Sequence, residues 1–303
     1  MYEKQNNHFR LIAIEEPEAH LCPMVQRHLA KNIATEDSKG KQQIIITTHS
    51  THIASYLDLG STVVLFKKGG QTGSHYLLEG FNTVKAEDKK TVRYLQKWLN
   101  ATNSTMFFSR KLILVEGIAE EILLPVFYKW KFGKTLEKVN CQVVNVNGVA
   151  FKNFLRVVRN GYFVKTVVLT DSDAGKKTEN RASELKAEYG SDNIKIMITT
   201  LSTFEKEILD ANKKKKENRN LLLNVLMNVR SKKCDENFCK LYQTQATFNV
   251  EELFGCIEEY KSEFAFELSD KLEEKMESKI KGYSQTFTLP KYIEEAFEFI
   301  NGE

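Results

Sequence analysis

An α/β protein, with a parallel sheet covered by helices on both faces, is predicted by three features of this sequence. From Arg110 onward, short apolar or β-branched runs alternate with helical stretches, the pattern of a sheet built from strand–helix–strand units. Leu112-Ile113-Leu114-Val115 and Val167-Val168-Leu169 are continuous apolar runs rather than alternating ones, as expected of strands buried on both faces. Each run then meets acid, in Glu116-Gly117-Ile118-Ala119-Glu120 and in Asp171-Ser172-Asp173. In such sheets the carboxyl ends of the strands are where ligands bind.

The elements follow in order. Phe9 to Ile14 is a short apolar run ending at Glu15-Glu16-Pro17-Glu18, Met24 to Ile33 has helical spacing, and Gln43 to Thr48 is a β-branched run ending at His49. Val63 to Lys67 and Ser74 to Leu78 predict a hairpin turning through Lys68 to Gly73. Val84 to Asn100 predicts a polar helical connector, and Ala101 to Thr105 a boundary. Strands are then expected at Lys111–Val115, Gln142–Val146, Thr166–Thr170 and Ile194–Thr199. Helices are expected near Ala119–Trp130, Phe151–Arg159 and Thr178–Tyr189. Beyond Thr203 the chain is mostly helical and charged, and Pro290 opens a last helix, Lys291 to Ile300. The organisation expected is therefore residues 1–105 followed by residues 106–303.

With 303 residues, 42% hydrophobic and 28% charged, the composition is that of an ordinary folded protein with room for two cores. A net charge of +4 does not by itself indicate a polyanionic partner. The lysines are clustered, however: Lys213 to Lys216 are unbroken, and Lys176-Lys177 and Lys232-Lys233 form pairs. Each cluster reads first as solvated surface. The five cysteines include no Cys-x-x-Cys, so neither a zinc ribbon nor a disulfide scaffold is supported. No apolar stretch spans a bilayer and the amino-terminal residues have no signal core. A cytoplasmic location is expected.

Asp171 and Asp173, two apart after a strand, point the same way if the chain stays extended. Glu116 and Glu120, four apart where strand becomes helix, lie on one helical face. Oxygen donors at two adjoining strand ends suit Mg²⁺ or Mn²⁺. Alone, Asp-x-Asp reads more often as a turn; with Glu116-Gly117 on a neighbouring strand, the metal reading leads.

Leu114-Val115-Glu116-Gly117, the strand ending in Asn147-Gly148, and Thr170-Asp171-Ser172-Asp173 resemble the Toprim domain of topoisomerases, bacterial primases and overcoming-lysogenisation-defect (OLD) nucleases. Glu116 to Glu120 with Leu123-Leu124-Pro125 resembles the OLD form. So do Thr200 to Glu205, Lys261-Ser262-Glu263-Phe264-Ala265, and Leu289-Pro290-Lys291-Tyr292-Ile293 with Ala296. The resemblance covers roughly Arg110 to the end. It implies a Toprim-type sheet with a helical carboxy-terminal region, and two metal ions held by Glu116, Glu120, Asp171, Asp173 and Glu205. The catalytic set it implies is Glu116, Asp171, Asp173 and Lys261, with Lys261 offsetting charge in the transition state. Ser172 reads equally as a ligand contact and as a turn residue.

Leu11 to Leu21 resembles the Walker B strand and loop of an ABC-type ATPase, and Ile44 to Ser50 its switch-histidine strand. By that resemblance Glu15 holds Mg²⁺, Glu16 polarises water and His49 senses the γ-phosphate. His20 and His52 read as structural or capping residues. No Gly-x-x-x-x-Gly-Lys-[Ser/Thr] occurs, so residues 1–105 read as a partial ATPase lobe. The chain is expected to be a truncated piece, a short homologue or one part of a split protein. It should use ATP only where a Walker A is supplied by another chain or by the full-length protein. A partial sheet exposes an edge, which predicts self-association or a partner subunit.

The leading expectation is a metal-dependent DNA endonuclease or nickase of OLD type, with RNA left open as substrate and anti-phage defence implied by the resemblance. A topoisomerase-like enzyme is the second reading, discriminated by a covalent protein–DNA adduct. A non-catalytic DNA-binding or assembly module with a vestigial ATPase is the third, discriminated by salt-sensitive binding without cleavage.

Overall fold

The computed structural model describes residues 11–38, 43–68, 70–82, 84–98, 103–148, 150–159, 162–173, 180–230, 236–279 and 286–302. Lys176-Lys177, Lys232-Lys233, Gly69, residues 101–102 and the expected helix start at Thr178 lie outside them. The chain divides into two compact units between Phe108 and Ser109.

In the first unit, β1 (Leu11–Glu15) and β2 (Gln43–Thr47) pair in parallel, Glu15 opposite Thr47, around α1 (Pro23–Ser38). Helix α1 runs past the expected Ile33 because the polar residues that follow include no helix breaker before Ser38. The two-stranded sheet leaves Leu11 55% and Ile45 50% exposed, unlike the covered faces usual for parallel strands. Ser50 caps α2 (Thr51–Ala54), accepting hydrogen bonds from the N–H groups of His52 and Ile53. The hairpin of β3 (Val63–Lys68) and β4 (Gln71–Tyr76) is tighter than the sequence suggests: Lys68 pairs with Gln71, so only two residues link the strands. Gly70 adopts φ +81°, the left-handed geometry a two-residue turn requires. Helix α3 (Ala86–Trp98) follows, burying Thr91 and Leu95.

The second unit holds a four-stranded parallel sheet in the order β6-β5-β7-β8, formed by β5 (Lys111–Val115), β6 (Cys141–Asn145), β7 (Lys165–Thr170) and β8 (Ile194–Ile198). Every residue of the central strand β7 is buried, and β5 is fully buried from Leu112 to Val115. Each fully buried aliphatic side chain of these strands contributes about 1.5–3 kcal/mol. Connecting helices are α4 (Ile118–Phe132), α5 (Phe151–Val158) and α6 (Arg181–Tyr189). After β8 come α7 (Phe204–Asn212), α8 (Lys216–Asn228), α9 (Glu236–Gln243), α10 (Val250–Ile257), α11 (Lys261–Lys279) and α12 (Lys291–Asn301). Helix α11 packs along α4 and α8, and α12 covers β7 and β8. One apolar core joins sheet and helices, from Ile113 and Leu169 through Phe127 and Phe204 to Phe264 and Phe297. Among the described residues no helix is long and apolar enough to cross a membrane.

Candidate active site

The acidic residues of the second unit converge at the carboxyl end of its sheet. Glu116 follows β5 directly, Gly117 caps α4 in extended conformation, and Glu120 lies in the first turn of α4, where the helix dipole favours a carboxylate. A Cβ on Gly117 would stand 3.2 Å from Glu120 Oε2, so the absent side chain leaves room for that carboxylate. The Asn147-Gly148 pair is left-handed at both residues, φ +52° and +96°. This turn brings the Gly148 N–H onto the Glu116 carbonyl at 2.8 Å.

The end of β7 supplies the opposite wall. Glu116 Oε1 accepts hydrogen bonds from the Thr170 hydroxyl, the Asp171 N–H (3.2 Å) and Arg181 Nη2 (2.6 Å). Arg181 Nη2 also lies 3.5 Å from Asp173 Oδ2. The chain does not stay extended here: Asp173 has φ +48°, so the two aspartates part company. Asp173 turns to Arg181, while Asp171 Oδ1 accepts the Phe204 N–H at the start of α7 (2.9 Å). Between them, Ser172 donates its hydroxyl to the Leu201 carbonyl (2.9 Å) and its N–H to Thr199 Oγ1 (2.8 Å), tying this loop to the segment after β8. The structure thus gives Ser172 a loop-fixing part.

Thr203 caps α7, accepting from the Lys206 N–H, and so sets Glu205 in the first turn, its side chain 3% exposed. Lys261, the first residue of α11, donates to Glu205 Oε2 at 2.7 Å. Its ammonium lies 5.6 Å from the Phe254 ring centroid, within cation–π range. Burial pulls Lys261 down, but the charge and hydrogen bond of Glu205, with Asp171 and Glu120 nearby, raise it above the usual lysine value. Burial, then the charges of Glu205, Asp171 and Glu116, pushes Glu120 up to about 8. Burial, then Glu116 and Glu205, pushes Asp171 up to about 7 against the opposing pull of Lys261. Tyr292 of α12 borders the same cluster: burial first, then Glu120 and Asp171, holds its phenol neutral far above the usual range.

Four of the five expected metal-binding carboxylates (Glu116, Glu120, Asp171 and Glu205) thus feel one another's charge. Asp173 joins the group through Arg181. Oxygen-only donors whose mutual repulsion Arg181 and Lys261 relieve only in part match a hard divalent cation in type and charge. Among the described residues, however, no three His, Cys, Asp or Glu side chains stand arranged to hold a metal ion. Arg181 lies against Glu116, Lys261 against Glu205, and Asp171 points one oxygen at a backbone N–H. Coordination therefore requires these side chains to turn.

Arg181 is the residue that sequence reasoning missed. A single arginine in a helix beyond the acidic loop has no distinguishing spacing; only the fold lays it across Glu116 and Asp173.

In the first unit, Glu15 ends β1 and Glu16 adopts φ +44°. His49 Nε2 lies 3.6 Å from Glu16 Oε1, both side chains exposed at 83% and 55%. Glu18, which has no assigned role in the sequence reading, fixes this pair of strand ends. It accepts the Thr48 hydroxyl (2.8 Å) and the His49 N–H (2.7 Å). Burial would raise its carboxyl, but hydrogen bonds from the backbone of His49 and from Thr48 bring it below the usual value.

Comparison with known proteins bears on both units. The model of the family described as "Overcoming lysogenization defect protein-like, TOPRIM domain" matches residues 107–173, and that of the "AAA ATPase domain" matches residues 1–54. The chain is 27% identical over 313 residues to endonuclease GajA of Bacillus cereus (strain HuB5-5), covering 94% of this chain and 42% of that protein. It is 27% identical over 164 residues to the Old nuclease of Escherichia phage P2, covering 54% of this chain and 28% of that one. The chain thus spans less than half the length of the curated relatives it matches. Among solved structures, the C-terminal region of the Burkholderia pseudomallei OLD protein gives a TM-score of 0.45 at 24% identity, over 64% of this chain and 97% of that one. The corresponding region of the Xanthomonas campestris pv. campestris OLD protein gives 0.43 at 22%, over 64% and 93%.

Proposed function

We propose, from the premise that this chain is an ATPase–Toprim protein of the overcoming-lysogenisation-defect family, that it is a metal-dependent endonuclease or nickase. Its substrate on this reading is DNA, hydrolysed at phosphodiester bonds. The observation that carries the proposal is the convergence of Glu116, Glu120, Asp171 and Glu205 from three separate stretches of the chain at the carboxyl end of a parallel sheet, with Lys261 against Glu205. A structural ion-pair network needs no such excess of buried acid over base.

Glu116, Glu120, Asp171, Asp173 and Glu205 would hold two Mg²⁺ or Mn²⁺ ions. Bound there, the ions supply an activated water and neutralise the leaving oxygen. The chain's own residues do the rest. Thr170 and the Asp171 N–H orient the Glu116 carboxylate. The Phe204 N–H fixes one oxygen of Asp171 and leaves the other for a ligand. Lys261 brings a positive charge to a phosphorus centre that becomes more negative as water adds. Hydrolysis breaks the P–O bond to the leaving oxygen, which departs as a hydroxyl group and leaves a phosphomonoester on the other strand end.

The first unit serves on this reading as a partial ATPase lobe, with Glu15, Glu16 and His49 as its remaining chemistry. ATP binding then requires a Walker A from elsewhere. Defence against phage and a cytoplasmic setting belong to the same proposal. Incubating supercoiled plasmid with the purified chain in Mg²⁺, in Mn²⁺ and in EDTA tests it. Nicked or linear product in metal alone is expected; salt-sensitive binding without cleavage in either metal would instead support a non-catalytic module.

A further inference from the structure

We propose that the lysine turn between α7 and α8 is a second nucleic-acid contact, gripping the phosphate backbone beside the acidic cluster; this rests on the nuclease reading above. Lys214, Lys215 and Lys216 are exposed, and among the described residues none of them forms an ion pair, whereas Lys213 is neutralised by Asp210. Lys215 reaches only the neutral Thr288 hydroxyl, at 3.3 Å, so the three adjacent ammonium groups keep uncompensated charge and repel one another.

The turn is nevertheless rigidly held. Arg219, 5% exposed, spends its guanidinium on main-chain carbonyls: Nη1 donates to Lys214 O (2.6 Å) and Nη2 to Gln245 O (2.9 Å). Asn212 and Asn218, both fully buried, clamp the two flanks. Asn218 Nδ2 donates to Asn212 Oδ1 (2.8 Å), and Asn212 in turn exchanges hydrogen bonds with the backbone of Thr288 (2.8 and 2.9 Å). A solvated loop needs no buried arginine or paired buried amides, which are costly unless satisfied. Their effect is to fix where the lysine stems emerge.

Helix α7 sets that place relative to the acids. Glu205 is in its first turn and Asn212, its last residue, lies seven residues on, roughly 10 Å along the axis at 1.5 Å per residue; the lysines follow directly. That is about three phosphate steps along one strand of a duplex. A strand that runs along α7 with its scissile phosphate at the acidic cluster would carry its flanking phosphates past the lysine turn. The ligand chemistry is a phosphodiester backbone, read by charge and without base specificity.

The test is fluorescence anisotropy of a labelled DNA duplex in EDTA across a salt series. It compares wild type with the triple variant Lys214→Gln/Lys215→Gln/Lys216→Gln and with a charge-matched control, Lys85→Gln/Lys89→Gln/Lys90→Gln, in the first unit. Thermal melts accompany each protein. The turn variant should melt like wild type, bind about tenfold more weakly and lose nearly three from its log–log salt slope, about 0.9 per phosphate contact. Equal weakening in the control would reduce the effect to net charge and overturn the proposal. Unchanged binding in the turn variant would overturn it while leaving the nuclease reading intact. Failure of wild type to bind the duplex in EDTA would also overturn it, while the nuclease reading stands or falls on cleavage in metal.

Discussion

Lys261 Nζ lies 2.7 Å from Glu205 Oε2, joining the first residue of α11 to the first turn of α7 across 56 residues of sequence. Glu205 is almost wholly buried and Lys261 is the cation against it, so the pair couples the helical region to the acidic end of the sheet. Removing one partner of such a pair strands the other's charge.

Lys261→Ala should therefore cost stability as well as cleavage. With the lysine 36% exposed, screening brings the cost below that of a fully buried pair, to about 1–2 kcal/mol. Denaturant melts measure this. Lys261→Arg should recover most of the stability, and a Lys261→Ala protein as stable as wild type would show that Glu205 does not depend on it.

Metal-free stability should fall as pH rises. Glu120 and Asp171 titrate near 8 and 7 when folded, against about 4 unfolded. The folded state binds these protons more tightly, so its advantage is complete below about pH 4 and is lost as pH climbs through 7 and 8. The loss between pH 5 and 8 should be on the order of a few kcal/mol. Mg²⁺ or Mn²⁺ should restore the melting temperature at pH 8 by binding the ionised, folded form. A melting temperature that is flat from pH 5 to 8 and indifferent to metal would contradict the clustering of these acids.

Arg181 neutralises Glu116 and Asp173 where a metal would otherwise do so. Arg181→Gln should lower the metal-free melting temperature and tighten Mn²⁺ binding by roughly three- to tenfold, a release of about 1 kcal/mol. Calorimetric titration decides it: unaltered or weaker affinity would mean that the guanidinium positions the carboxylates and does not compete with metal.

Gly117→Ala places a methyl group 3.2 Å from Glu120 Oε2. Its φ of −145° is open to any residue, so the backbone tolerates alanine and the fold should lose less than about 1 kcal/mol. Metal affinity should fall because the Glu120 carboxylate must shift. Full metal affinity in Gly117→Ala would show that the glycine matters only for chain entropy.

The strands of the second unit were legible because their signal is local. Leu112 to Val115 and Val167 to Leu169 are unbroken apolar runs, and β5 and β7 form over them within a residue of expectation. The hairpin was less legible because β4, Gln71 to Tyr76, is polar and largely exposed, leaving only two glycines to mark a turn that is shorter than its composition suggests. At the site, Glu116 and Asp171 stand out as acids following apolar strands. Glu205 and Lys261 have no mutual spacing and entered only through family resemblance. Arg181 and the left-handed turn at Asp173 were invisible, since neither the contact of Arg181 with Glu116 nor the positive φ of Asp173 has a local sequence signal.

On the proposed function, the acids around Asp171 hold the metal that cleaves phosphodiester bonds. The most direct test is supercoiled-plasmid cleavage by wild type and Asp171→Asn side by side in Mn²⁺, with circular dichroism to confirm that both are folded. Metal-dependent nicking or linearisation by wild type is expected, with its loss in a folded Asp171→Asn protein. Equal cleavage by the two proteins would contradict the site, whatever the chain's family.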